Sequence, residues 1–131
     1  MAELKSIGCV TAVLMAFCLP LAAAHLDPAI SQGQFMDRMT SEQAPPLIDV
    51  RTPGEFQSGH VPGAINIPLQ EFQQRFAELS EYRDREVVLY CESGMRASRG
   101  GDWLASQGFQ ELRFLDGHMR AWRAAGLPTE R

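Results

Sequence analysis

Lysine is almost missing from this 131-residue chain: Lys5 is the only one, and residues 25–131 hold 11 arginines and no lysine. That absence excludes Schiff-base chemistry from the segment, and with it a lysine-dependent phosphate loop. Cysteine is scarce too. Cys9 and Cys18 lie in the first 24 residues, which leaves Cys91 as the single thiol beyond them. Neither an internal disulfide nor a cysteine-based zinc cluster can be built there. Positive charge is in deficit, with 12 basic residues against 16 acidic ones and a formal charge of −4. A surface of that sign argues against nucleic acid as a partner. Internal repeats and low-complexity tracts are lacking as well.

The one long apolar run, residues 7–19, follows Lys5 and precedes Ala22-Ala23-Ala24. A weakly basic start, an apolar middle and a small-residue end mark residues 1–24 as a secretory signal peptide, with His25 as the mature N-terminus. The alternative is an uncleaved anchor, because residues 7–24 approach the roughly 20 residues needed to span a bilayer. Pro20 and the A-x-A ending favour cleavage. The expected address is therefore exported, in the periplasm, with the membrane a partner only if the leader remains. Residues 25–131 form one domain. A lone thiol in an oxidising compartment is better explained by a chemical task than by chance.

Within that domain apolar strand-like runs alternate with helical spacing. Short strands are expected at 30–31, 47–50, 64–67, 86–90 and 112–115, and helical segments at 34–39, 53–57, 69–80, 96–107 and 119–125. Leu69, Phe72, Phe76 and Leu79 recur at steps of three and four, the spacing of an amphipathic helix. Trp103 and Trp122 read as core residues. Gly100-Gly101 interrupts a helix at a cost of about 1 kcal/mol each, which close packing of helix on sheet would justify. The implied class is α/β: a mostly parallel five-stranded sheet covered by helices on both faces. In such sheets sites lie beyond the carboxyl ends of the strands, where Asp49 and Cys91 both fall.

The segment Cys91-Glu92-Ser93-Gly94-Met95-Arg96 links an apolar strand to a helix. Backbone N–H groups of a curled loop and a helix N-terminus favour the thiolate. A small buried hydrophobe is the plain alternative for Cys91. Gly94, which permits tight curling, and Arg96, which brings a fixed positive charge, weigh against it.

Four ordered segments carry a resemblance: Leu47-Ile48-Asp49-Val50-Arg51, Glu55-Phe56, Gly59-His60-Val61-Pro62-Gly63-Ala64, and Cys91 through Arg96. Together with Leu115-Asp116-Gly117 and Gly126-Leu127-Pro128, they resemble a single-domain rhodanese over nearly all of residues 25–131. The resemblance implies a sulfurtransferase that moves sulfane sulfur from a donor such as thiosulfate or a persulfide, through a Cys91 persulfide, to cyanide, a thiol or a protein acceptor. It implies no metal or organic cofactor. Residues Glu92, Ser93, Gly94, Met95 and Arg96 would bind the donor through loop amides and the Arg96 charge. Asp49, Arg51, Glu55 and His60 would be supporting residues, with Asp49 bonded to loop backbone, Arg51 paired with Glu55 and His60 fixing a turn. His118 stands where the family often has glycine, and no catalytic role is expected of it. Two alternatives remain: a thiol-based phosphatase or arsenate reductase, whose loop is one residue longer, and a non-enzymatic binding or redox-sensing module. Glu92 is less cationic than loops that prefer thiosulfate, and is expected to raise the thiol pKa and repel dianions.

Overall fold

The computed structural model describes residues 28–131, so the expected leader lies outside the described residues. β1 (Ala29–Ile30) leads into α1 (Gln32–Thr40), then β2 (Leu47–Asp49), α2 (Pro53–Ser58) and β3 (Ile65–Asn66). A segment of mixed helix follows, with α3 (Phe72–Arg75) between two 3₁₀ stretches, Leu69–Glu71 and Phe76–Tyr82. β4 (Glu86–Tyr90), α4 (Met95–Ser106), β5 (Glu111–Leu115) and α5 (His118–Ala124) complete the order. The strands form a five-stranded sheet in the order β1-β5-β4-β2-β3, and every pairing is parallel.

The centre of the sheet shows why both faces are covered. Along β4 side chains alternate between faces, as the pleat requires. Val87 and Leu89 join a core with Ile48, Val50, Phe72, Leu79, Ala97 and Leu104, beneath α3 and α4. Val88 and Tyr90 join a second with Leu47, Phe35, Met119 and Trp122, beneath α1 and α5. A strand buried on both sides reads as a continuous apolar run, which is how 86–90 stands in the sequence.

Two helices begin on paired caps. The Ser31 side chain accepts the Gln34 N–H while Gln34 reaches back to the Ser31 N–H, and Thr52 and Glu55 repeat the arrangement on α2. Ser31 therefore caps a helix instead of ending a strand, which moves the expected first strand back to Ala29–Ile30. The continuous helix expected at 69–80 is not formed. Phe76, Leu79 and Tyr82 sit at steps of three, the repeat of a 3₁₀ helix, and Leu79 is buried with Phe76 and Tyr82 packed on the same core. The two central glycines of α4 permit close approach. A Cβ at Gly100 would stand 2.8 Å from the Phe72 ring, and one at Gly101 2.8 Å from the Phe114 ring. Trp103 lies edge-on to Phe72 and Phe76, and Trp122 is fully buried.

Candidate functional site

Cys91 follows the last residue of β4, the central strand, and Asp49 ends β2 beside it. Three residues, Glu92, Ser93 and Gly94, turn the chain into α4, so Met95 and Arg96 already belong to the helix's first turn. Gly94 holds φ at 121°, a region that excludes ordinary side chains. This lets its N–H fold back and donate to Cys91 Sγ at 3.0 Å. The expected amide cradle is thus represented by one direct donor to the sulfur, and a donor placed there favours a charged sulfur over a neutral one.

The sulfur is covered. Cys91 is 1 % exposed, as buried as the small hydrophobe that is its plain alternative in the sequence. Ser93 and Met95, two and four residues on, are exposed, and Met95 is the exposed large apolar side chain of the described residues at 71 %. Access to the sulfur requires neighbouring groups to move aside.

The supporting residues sort differently from expectation. Arg51 does not pair with Glu55. Its Nε lies 3.1 Å from both Asp49 carboxylate oxygens, its Nη2 donates to Asp49 Oδ2 at 2.8 Å, and the same Nη2 reaches the Gly59 carbonyl at 2.8 Å. Asp49 accepts the Arg51 N–H at 2.9 Å instead of serving the cysteine loop. The pair is fully buried and stands near the Tyr90 ring, 5.7 Å from the guanidinium. Burial works to lower the Arg51 pKa, but the Asp49 hydrogen bond and charge outweigh it and the value rises. Tyr90 is driven up by burial and then by the Asp49 charge, so its hydroxyl stays protonated while it accepts the Val61 N–H at 3.1 Å.

Glu55 is taken by Arg96. The guanidinium meets both carboxylate oxygens, Nη1 to Oε2 at 2.6 Å and Nη2 to Oε1 at 2.9 Å. The Arg96 hydrogen bond first, with help from Thr52, holds the Glu55 carboxyl down at about 2. Arg96 is accordingly committed to a partner within the fold, and its charge toward an incoming anion is largely balanced. Glu92 is balanced in the same way. Its carboxylate contacts Arg123 and lies 3.6 Å from Arg51 Nη1. The repulsion of dianions expected of Glu92 is therefore weakened by two cations.

His60 directs both ring nitrogens away from the loop. Nδ1 donates to the Phe56 carbonyl at 2.8 Å, Nε2 lies 3.7 Å from Glu130, and the ring stacks on Phe56 with centroids 3.5 Å apart. It ties the end of α2 to the segment before Arg131. His118, by contrast, touches the loop: the Cys91 N–H donates to its Nδ1 at 3.2 Å. The sequence gives this residue no catalytic role, and its contact with the loop is made by the fold. The signal available was a histidine where the resemblance expects glycine, directly after Gly117. Among the described residues, no group of three or more His, Cys, Asp and Glu side chains could hold a metal ion.

A central parallel strand followed directly by a cysteine, whose sulfur accepts an amide at the start of a helix, defines the class of thiol-loop α/β domains. The chain belongs to the rhodanese-like domain family, whose match covers residues 31–125. It is similar to the HTH-type transcriptional regulator Rv0324 of Mycobacterium tuberculosis, 39% identical over 106 residues that cover 79% of this chain and 45% of that protein. The chain thus spans less than half the length of that relative. A sulfurtransferase of Allochromatium vinosum is 33% identical over 99 residues, covering 76% of this chain and 91% of that one. Among solved structures, the Alr3790 protein of Anabaena sp. aligns with a TM-score of 0.69 at 29% identity, over 77% of this chain and 80% of that chain.

Proposed function

We propose that this protein is a sulfurtransferase carrying sulfane sulfur on Cys91. The Cys91 thiolate attacks the outer sulfur of a donor, and the donor's sulfur–sulfur bond breaks. The leaving group, a thiolate or sulfite, departs with the bonding electron pair. Cys91 is left as a persulfide. A nucleophilic acceptor, cyanide, a small thiol or a protein cysteine, then takes the outer sulfur and returns Cys91 to the thiolate. No net oxidant enters the cycle, and none of these steps calls for a metal or organic cofactor.

The observation that carries the reading is the Gly94 N–H donated to Cys91 Sγ, which stabilises negative charge on the sulfur and on the persulfide formed from it. Membership of the rhodanese-like family and a relative named as a sulfurtransferase support it. Thiosulfate and protein persulfides are both donors within the proposal. The test is intact mass after treatment with a donor: a gain of about 32 Da, one sulfur, that cyanide removes, and no gain in Cys91→Ser. Protein that gains nothing from any donor would overturn the reading.

Burial of Cys91 favours a second reading, a rhodanese-like module that binds a partner without turnover. It predicts no mass gain and the same partner affinity in Cys91→Ser. The address is proposed as well: residues 1–24 direct export, and N-terminal sequencing of protein from the exported fraction should begin at His25.

A further inference from the structure

The cysteine loop is fastened from behind by the start of α5. Met119 N–H donates to the Cys91 carbonyl at 3.0 Å and Arg120 N–H to the Glu92 carbonyl at 3.1 Å. In the opposite direction the Cys91 N–H donates to His118 Nδ1. Both polar groups of the Cys91 backbone are therefore held by two consecutive residues of one helix. The same ring also backs the far side of the loop: a Cβ on Gly94 would meet His118 Nε2 at 2.9 Å. Cys91 and Gly94 are the two residues joined by the amide-to-sulfur bond, and one imidazole bonds the first and stands where the second would carry a Cβ. His118 occupies the left-handed region, φ 53°, a conformation uncommon for residues other than glycine. It is a costly place to keep a histidine without a use for it.

An Nδ1 that accepts a hydrogen bond carries no proton, so the neutral ring holds its proton on Nε2. A second proton would turn Nδ1 into a donor facing the Cys91 N–H. Burial lowers the ring's pKa, with Asp116 opposing, so the neutral form is the one the fold prefers. The charged and titratable groups gathered around it are Asp116 before the helix, Cys91 and Glu92 on the loop, and Arg120 and Arg123 on its own helix. Arg96 stands beyond Gly94. Glu92 is held by Arg51 and Arg123, and Arg96 by Glu55. From α1 the neutral Gln32 side chain reaches the Asp116 carbonyl.

We propose that His118 is a positioning residue: its neutral ring accepts the Cys91 amide and backs Gly94, which sets the loop so that the Gly94 N–H reaches the sulfur. Protonation of the ring releases that setting. Sulfur loading then declines in acid for two separable reasons, thiol protonation and loop release. The inference rests on the sulfur-carrying reading of Cys91, but its first readout is independent of turnover.

The test compares the full chain with His118→Gly, which accepts the backbone angle and lacks the acceptor, and His118→Asn, which accepts the angle and offers a non-titrating acceptor oxygen. Nitrogen-15 NMR of the wild type at about pH 8 should show the Nε2–H tautomer, which becomes doubly protonated only as the pH falls below the ordinary histidine range. Exchange of the Cys91 amide should quicken about tenfold in His118→Gly and return toward wild type in His118→Asn. Loading from thiosulfate or a small persulfide should fall about fivefold in His118→Gly, and His118→Asn should recover most of it. His118→Asn should also lose whatever part of the acid decline exceeds the thiol titration, followed separately by thiolate absorbance. A ring protonated on Nδ1, or His118→Gly with wild-type amide protection and loading, would overturn the proposal. Wild-type protein that shows the NMR pattern yet loads no sulfur supports the positioning role and overturns the sulfurtransferase reading alone.

Discussion

Arg96 and Glu55 are 41 residues apart in sequence and meet through two parallel hydrogen bonds, joining the first turn of α4 to the first turn of α2. The cation that the sequence offers to an incoming anion is spent on fixing where the cysteine loop ends. Glu55 serves two helices at once, since the same carboxylate accepts the Thr52 N–H at 2.9 Å.

The sign of the pH effect follows from the lowered Glu55 carboxyl. Its folded value, about 2, lies below the ordinary 4.5, so its stabilising contribution is present above pH 4.5 and disappears as pH falls from there toward 2. Because both partners are partly exposed, the contribution is under about 1 kcal/mol. Glu55→Gln should lower Tm slightly at neutral pH and show a shallower loss of stability between those pH values than the wild type. An unchanged acid profile would show the pair to be energetically idle.

Asp49 and Arg51 form the buried counterpart. Removing the carboxylate in Asp49→Ala leaves the enclosed Arg51 guanidinium only the more distant Glu92 carboxylate, 3.6 Å away, and such changes cost about 3–5 kcal/mol. Urea denaturation should report a loss of that order, and most of it should be recovered in the double variant Asp49→Leu, Arg51→Met. A double variant as unstable as Asp49→Ala would place the cost elsewhere.

Gly101→Ala should destabilise. The added methyl would approach the Phe114 ring to 2.8 Å, inside any normal contact, and overpacking of this kind costs about 1–3 kcal/mol even though alanine is the better helix former. Thermal melts would show the sign directly, and a gain in Tm would mean that Phe114 yields freely.

Coverage of the sulfur sets its reaction with neutral alkylating agents. Iodoacetamide should modify Cys91 at least about tenfold more slowly than a free cysteine of the same thiolate content, with the rate rising in low urea before global unfolding. Labelling at the rate of a free thiol would show the loop to be open most of the time.

Much of the architecture was legible because strands and helices announce themselves in local periodicity. The run 86–90 is apolar throughout since its two faces enter separate cores, and the thiol at its end needs no long-range information to be noticed. Boundaries were less legible. Ser31 reads as strand in the sequence yet caps a helix, and 69–80 reads as one helix, because the choice between repeats of 3.0 and 3.6 residues is made by the core that the side chains enter.

Pairing of charges was the least legible part. The family resemblance implies an Arg51–Glu55 pair, whereas the fold gives Arg51 to Asp49 and brings Arg96 to Glu55.

Composition and order alone determined the α/β class, the position of the one thiol beyond residue 24 and the curled loop that Gly94 permits. Tertiary structure decided which arginine meets which carboxylate, how deeply the sulfur is covered and that His118 stands behind it. The physical reason is range: backbone preference and hydrophobic period act between near neighbours in sequence. Hydrogen bonds and ion pairs form between whichever groups the packed sheet brings within about 3 Å, however far apart they lie along the chain.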